Sequence, residues 1–182
     1  MSGISRRRLT LAALQGTPLL VAGCATRPPQ PADFRGRMAL RIEGDAQRSF
    51  SADFELQGGP DSGRLVLSTA LGLQLAEARW SRFAAVLDTG NGSPQSFTDL
   101  ESMTHEIFGE SVPVSALFDW LRGRPWPKAS NHPLPAPETG FSQIGWSVLL
   151  DRFQDGQIVA RRDRVTPALS LRIRLDPAPS PA

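Results

Sequence analysis

Apolar and polar residues alternate with a period of two over several stretches of this chain. Met38, Leu40 and Ile42 alternate with polar or small neighbours, and Phe50, Ala52, Phe54 and Leu56 repeat the pattern. Because neighbouring side chains of a β-strand point to opposite faces, this alternation predicts strands that bury only one face. Such strands are typical of an antiparallel sheet, so we expect a sheet protein and not a helical bundle.

Further strands follow the first two, and short turn sequences separate them. Gly58-Gly59-Pro60-Asp61 and Asn91-Gly92 are typical turn sequences. The sequence predicts these further strands at 64–68, 73–80, 83–88, 95–98, 146–150, 157–161 and 169–175, with strand structure resuming at Phe141.

A helical pattern interrupts the strands. Met103 and Ile107 are four residues apart, and positions 114, 117, 118 and 121 form one apolar helix face. The proline-rich segment 122–137 is expected to be an ordered loop or an extended connector. Sheet, helices and sheet in this order predict an α+β fold, with the helices over one face or one end of a strongly curved sheet. One domain at 34–176 and a loose tail at 177–182 complete the prediction.

The first 24 residues have the organisation of an export signal. A basic start with Arg6, Arg7 and Arg8 precedes an apolar stretch that is too short and too interrupted to span a membrane. Val21, Ala22 and Gly23 then precede Cys24, the single cysteine, and with Leu20 they resemble a bacterial lipobox. We therefore predict cleavage after residue 23 and a lipid anchor on Cys24. An incidental thiol in an ordinary leader is the alternative, and Sec and twin-arginine export both stay open.

Removal of the leader changes the charge of the chain. The whole sequence has 20 basic and 18 acidic residues, and three of the basic ones lie in the leader, so the mature net charge is 20 − 3 − 18 = −1. This value gives no support for binding nucleic acid. Residues 24–33 contain three prolines and predict an acylated N-terminus with an extended tether.

Catalytic motifs are not evident in the sequence. His105 and His132 are 27 residues apart, and no second histidine follows His105 at the spacing of a zinc protease. Asp99 and Glu101 form the best carboxylate pair, but acids just before a helix are usually solvated groups that favour its N-terminus. We expect neither an enzyme nor a cofactor or metal site.

The mature chain contains several unusual motifs. The most specific are Trp-Leu-Arg-Gly-x-Pro-x-Pro at 120–127 and Gln-x-Gly-Trp at 143–146. They are accompanied by Phe-x-Gly-Arg at 34–37, Phe-Ser-Ala-Asp-Phe at 50–54, Leu-Gly at 71–72, Phe-Gly at 108–109 and Val-Pro-Val at 112–114. Together these motifs resemble the LolB family, the outer-membrane lipoprotein receptors of the Lol sorting pathway.

This resemblance implies a fold and a function. The fold would be an open, incomplete antiparallel β-barrel whose short helices cover a hydrophobic cavity. The protein would receive acylated lipoproteins from a LolA-like soluble periplasmic carrier and insert them into the inner leaflet of the outer membrane. It would act without a cofactor, as a monomer lipid-anchored at the periplasmic face of the outer membrane, in contact with its phospholipid. A structural or assembly lipoprotein of the envelope, which binds a protein partner, is the alternative.

Carrying acyl chains through water requires a dry concave lining, which the apolar face of a curved sheet supplies. Alternation alone does not distinguish a cavity wall from a filled core. The residues expected to line an acyl-binding cavity are Met38, Leu40, Ile42, Phe50, Phe54, Leu65, Leu67, Leu75 and Trp146 of the sheet, and Leu117, Phe118 and Leu121 of a helix.

Leu71 lies in a turn between two predicted strands. The resemblance implies that an apolar side chain on this loop helps to deliver cargo to the membrane. A leucine folded back onto the sheet is the alternative from sequence alone.

Overall fold

Two runs of β-strands meet in the middle of one antiparallel sheet. The computed structural model describes residues 33–108, 112–164 and 166–177. The first run in that part of the chain comprises β1 (Phe34–Ile42), β2 (Asp45–Gly58), β3 (Gly63–Ser68), β4 (Gln74–Ser81), β5 (Ala84–Asp88) and β6 (Gln95–Phe97). Helices α1 (Leu100–Phe108) and α2 (Val114–Trp120) follow. The second run comprises β7 (Asn131–Pro133), β8 (Gly140–Gln143), β9 (Trp146–Leu149), β10 (Gln157–Arg162) and β11 (Leu169–Leu175).

The strand order of the sheet is β6-β5-β4-β3-β2-β1-β11-β10-β9-β8-β7. The last strand therefore pairs with the first, and β6 and β7 remain as separate edges. This arrangement confirms the predicted α+β fold with an open antiparallel sheet and two short helices. The leader at 1–23, Cys24 with residues 25–32 of the tether, and residues 178–182 of the tail lie outside the described residues.

The sequence did not predict two short elements, of which one lies in the proline-rich connector. Strand β7 pairs only with β8, and Pro133 lies within it. Proline is tolerated there because an edge strand leaves some backbone groups unpaired. A short 3₁₀ helix at Phe153–Asp155 also interrupts the second run of strands.

The pairing of β1 with β11 joins the two runs. Seven residue pairs connect these strands, from Gly36 opposite Leu175 to Ile42 opposite Leu169. Gly36 is needed here because a Cβ atom at this position would collide with the backbone carbonyl of Arg174. The glycine of the Phe-x-Gly-Arg motif is thus explained by close approach of two backbones.

A tight turn between β8 and β9 positions the Gln-x-Gly-Trp motif. Ile144 and Gly145 form the turn with φ angles of 45° and 81°, and such positive angles in a two-residue hairpin favour glycine. The turn places Gln143 opposite Trp146 in the sheet. Both side chains then point into the core.

Gln143 is the centre of a buried hydrogen-bond network. Its Oε1 accepts hydrogen bonds from the Trp120 indole Nε1 (3.0 Å) and from the backbone N of Trp126 (2.9 Å). Its Nε2 donates to the carbonyl oxygens of Trp126 and Ala129, both at 2.8 Å. The rings of Trp120 and Trp146 also pack together, with centroids 6.2 Å apart. The two most specific sequence motifs therefore meet in one cluster, which holds α2 and the connector on the sheet.

We expect Gln143→Met to lower the free energy of unfolding by about 3 kcal/mol, because it leaves two N–H groups and two carbonyls without a partner in a dry environment. Denaturant unfolding monitored by tryptophan fluorescence measures the change. Gln157→Met on the outer face of β10 is the matched control, with an expected effect within about 0.5 kcal/mol. Equal effects of the two substitutions would contradict the role of the network.

A buried ion pair stabilises the hairpin of β3 and β4 from the outer face. Both oxygens of Glu77 accept hydrogen bonds from Arg64, at 2.8 Å each, and Arg79 also pairs with this carboxylate. Hydrogen bonding from Arg64 lowers the pKa of Glu77 from its ordinary value of 4.5, and burial opposes this only in part. The folded state therefore favours the ionised carboxylate.

This lowered pKa predicts a pH dependence of stability. The contribution of ionised Glu77 is fully present above the unfolded pKa near 4.5 and is lost as the pH falls through the lower folded pKa. Wild type should therefore be more stable than Glu77→Gln at neutral pH, and the difference should shrink in acid. Urea unfolding at several pH values measures it, with Glu106→Gln on exposed helix surface as control. A difference that does not change with pH would refute the assignment.

Candidate functional site

An apolar cavity lies between the inner face of the sheet and the two helices. Its volume is about 110 Å³. Eight of the twelve residues predicted from the sequence line it: Met38, Leu40, Phe50, Phe54, Leu65, Leu67, Leu117 and Leu121. The structure thus brings both β-strand and helix positions of the predicted set together around one space.

The other four predicted residues lie elsewhere. Ile42 is buried at the end of β1, where it pairs with Leu169 of β11. Phe118 packs against Trp80 with ring centroids 6.2 Å apart, and Trp146 packs against Trp120. These three side chains belong to a filled part of the core. The cavity therefore occupies only part of the inner face.

Leu75 does not face the cavity at all. It lies on the outer face of β4 and is 42% exposed, whereas Ala76, Ala78 and Trp80 point inward. The inward positions of β4 have even numbers, and a register shift after Leu67 separates this strand from the preceding one. Trp80 is buried, so the even-numbered positions of β4 face inward. The position of this tryptophan was a signal already present in the sequence.

Twelve lining residues were not among the predicted ones. Some belong to strands whose alternation was recognised, and others come from α1 and from the segment before α2, where contact depends on tertiary packing. They are Leu56, Ala76, Ala78, Trp80, Leu87, Leu100, Met103, Thr104, Ile107, Val112, Val114 and Leu171.

The chemistry of the cavity is that of a dry apolar container. Thr104 is its one polar lining residue among those described. Its Oγ1 donates to the carbonyl of Glu101 (3.0 Å) and accepts from the backbone N of Val112 (3.2 Å). Because that hydroxyl is already satisfied, the cavity offers dispersion contacts and exclusion of water to a ligand, and no charged group.

The turn between β3 and β4 presents Leu71 to solvent. The side chain is 96% exposed. Backbone hydrogen bonds close the turn from Thr69 N to the Leu73 carbonyl (2.9 Å) and from Gly72 N to the Thr69 carbonyl (2.8 Å). Of the two interpretations of this residue, the structure therefore supports an exposed leucine and not one that folds back onto the sheet.

Exposed apolar side chains also occur beside this turn and at the opposite end of β4. Leu73 is 68% exposed and lies next to the turn, whereas Phe83 is 88% exposed in the turn between β4 and β5. The turn with Leu71 follows Leu67, which lines the cavity and pairs with Ala76, another lining residue. The exposed Leu71 and the cavity are therefore joined by a few residues of one hairpin.

The polar residues considered for catalysis occupy other places. Asp99 Oδ1 accepts a hydrogen bond from the backbone N of Ser102 at 2.7 Å, which lowers the pKa of Asp99 and is typical of a helix N-cap. His105 and His132 are exposed on α1 and β7. The described residues contain no group of three or more side chains arranged to hold a metal ion. No helix among them is long and apolar enough to cross a membrane.

The sequence matches the family described as outer membrane lipoprotein LolB over residues 31–176. Similar proteins called outer-membrane lipoprotein LolB come from Cupriavidus pinatubonensis (31% identical; 82% of this chain and 78% of the relative) and Ralstonia nicotianae (31%; 81% and 79%). Another comes from Cupriavidus necator (30% identical; 94% of this chain and 96% of the relative).

These matches confirm the family that the motifs resembled and the localisation that was predicted, a lipid-anchored protein of the outer membrane. They cover the strands, the helices and the connector that build the cavity and the Leu71 turn. The chain therefore belongs to the LolB family of outer-membrane lipoproteins.

Proposed function

We propose that this protein receives acylated lipoproteins from a soluble periplasmic carrier and inserts them into the inner leaflet of the outer membrane. The observation that carries the proposal is an apolar cavity under helix α2, joined through one hairpin to the exposed Leu71. The cavity would hold acyl chains away from water, and Leu71 would contact lipid during release. Cys24, which lies outside the described residues, would keep both at the membrane surface.

The size of the cavity indicates that cargo must widen it. An engineered apolar cavity of about 150 Å³ holds a molecule as small as benzene, and the cavity here is smaller, at about 110 Å³. A long acyl chain is several times larger than benzene. Cargo would therefore enter as helix α1 and the start of α2 move away from the sheet, while Trp120 at the end of α2 stays hydrogen-bonded to Gln143. The hydrogen bond between Thr104 and the backbone of Val112 connects α1 to the segment before α2, so α1 and the start of α2 would move together.

Transfer without a nucleotide requires an order of affinities. The receptor must hold acyl chains more tightly than the carrier and less tightly than the bilayer. An apolar cavity that is smaller than its cargo in the empty state is suited to an intermediate affinity, because widening it exposes apolar surface and opposes binding.

A scaffold lipoprotein that binds its partner through a sheet edge is less well supported. The edge strands of the described sheet, β6 and β7, have three residues each. Such short edges offer few backbone groups for strand addition. The cavity also has no use in a scaffold.

We expect Leu71→Glu to leave cargo binding and thermal stability unchanged but to slow release into membranes at least tenfold, because a carboxylate does not enter the apolar part of a bilayer. A tagged lipoprotein passed from the carrier to outer-membrane vesicles measures the rate. Phe83→Glu is the matched control, since Phe83 is equally apolar and exposed but lies at the other end of β4.

Unchanged transfer by Leu71→Glu would refute the role of this turn. Equal slowing by both substitutions would mean that the effect is general and not specific to the turn. A scaffold, by contrast, would leave transfer unaffected and would co-purify with a stable partner.

Ala76→Phe should fill the cavity and lower the affinity for an acylated peptide about tenfold or more, because the added ring occupies the space that the first methylene groups need. Ala84→Phe, at an exposed position of β5, is the control with unchanged affinity. Fluorescence titration of a labelled peptide gives both values, and the same titration with the carrier tests the order of affinities. Normal binding by Ala76→Phe would show that cargo binds elsewhere.

A further inference from the structure

The outer face of the central strands carries a concentration of arginine side chains. Alternation places them opposite to the cavity-lining positions, since Met38 and Leu40 of the same strand point inward. We call this surface the basic face and define it by Arg37 and Arg41 of β1, Arg161 of β10, and Arg172 and Arg174 of β11.

The strand register brings like charges together. Arg37 lies directly opposite Arg174 in the pairing of β1 with β11. Arg172 lies two residues before Arg174 on β11, on the same face. Like charges in directly opposed positions destabilise a sheet. Asp53 on β2 compensates only in part, because its Oδ1 is 3.7 Å from Arg37 Nε. An anion bound between these guanidinium groups would relieve the repulsion.

Neutralisation differs between the two halves of the outer face. On β3 and β4, Glu77 pairs with both Arg64 and Arg79. Within the described ranges, by contrast, Arg41, Arg172 and Arg174 form no ion pair with a carboxylate. The mature chain has a net charge of −1, so the unpaired positive charge is a local feature of this face.

The shape of the basic face suits phosphate groups. A shallow open groove of about 580 Å³ runs across it, with Arg37, Arg172 and Arg174 beside the short or apolar side chains of Ala39 and Val159. One carboxylate, Asp151, also lines the groove, and its Oδ1 accepts a hydrogen bond from the backbone N of Thr139 at 2.8 Å. Guanidinium groups bind phosphate oxygens through two parallel hydrogen bonds. The small residues between the arginines leave room for such groups to approach.

We infer that the basic face docks on the phosphate headgroups of the membrane to which the protein is anchored, with a preference for anionic phospholipid. The position of the anchor supports this occupant. Nine residues lie between Cys24 and Phe34 at the start of β1, and an extended chain of that length spans at most about 35 Å. The anchor therefore keeps β1, which carries Arg37 and Arg41, within reach of the headgroups.

This docking orients the molecule. The inner face with the cavity lies on the opposite side of the sheet, so it points away from the bilayer toward the periplasm. Headgroup binding does not depend on the proposed function. A role of this orientation in cargo delivery rests on the proposed function.

Vesicle binding by the unacylated mature chain tests the inference. Residues 24–182 with Cys24→Ala should bind vesicles of phosphatidylethanolamine mixed with phosphatidylglycerol more tightly than vesicles of phosphatidylethanolamine alone, and added salt should weaken the binding. Removal of Arg41, Arg172 and Arg174 by substitution with Gln should lower the affinity by about fivefold per arginine, or about a hundredfold in all.

The matched control removes three exposed charges elsewhere, with Arg82→Gln, Arg124→Gln and Lys128→Gln. It changes the net charge equally and should retain affinity within about threefold, because these residues lie away from the face. Equal losses in the two triple variants, or no preference for anionic vesicles, would overturn the inference. The inference would also be overturned if the variant without Arg41, Arg172 and Arg174 lost binding to the carrier but still bound vesicles. That result would assign the face to a protein partner.

A labelling experiment provides a readout that does not depend on the triple variant folding. In the Cys24→Ala chain, a fluorophore on Ser170→Cys, opposite Arg41, should be shielded from an aqueous quencher by anionic vesicles. The same label on Ser96→Cys in edge strand β6 should stay accessible. Equal accessibility of both labels would contradict docking through the basic face.

Discussion

The buried amide of Gln143 connects the parts of the molecule on which the cavity depends. It accepts a hydrogen bond from the indole N–H of Trp120 at the end of α2. It also accepts a hydrogen bond from, and donates one to, the backbone of the connector that follows. Without this network, α2 would be held over the sheet mainly by apolar contacts, which are not directional, and by Arg122, which donates to the Phe118 carbonyl and lies over the ring of Phe34. The cavity exists because a helix is held at a defined height over a sheet that its side chains do not completely fill. An amide with four partners sets that height.

The two faces of the same strands have separate physical roles. Inward positions are mostly apolar, form a packed core at one side and leave a small dry space at the other. Outward positions are mostly polar, with a neutralised half around Glu77 and an arginine-rich half on β1, β10 and β11. Strict alternation makes this possible because one residue of shift would exchange the faces. The proposed cavity for acyl chains and the proposed surface for an anionic membrane can therefore occupy the same short stretch of chain.

Predictions from the sequence were most successful where local spacing carries the information. The strands, both helices and the α+β order followed from periods of two and 3.6, and the family followed from ordered motifs. They were less successful where proline obscured a strand, as in β7, or where a strand was given the wrong parity, as with Leu75. Ile42, Phe118 and Trp146 show a different limit. Each was rightly assigned to an apolar face, but burial in a filled core and burial around a cavity have the same sequence pattern.

The sequence by itself determined the alternation of faces, the position of the helices and membership of the family, because these depend on neighbours along the chain. Only the tertiary structure decided that Trp120 and Gln143 meet, that Leu71 is exposed at 96% and that part of the apolar face stays unfilled. It also decided that Arg37 stands opposite Arg174. Each of these depends on the register of strands far apart in sequence and on how completely side chains fill the space between sheet and helix, which no local pattern encodes.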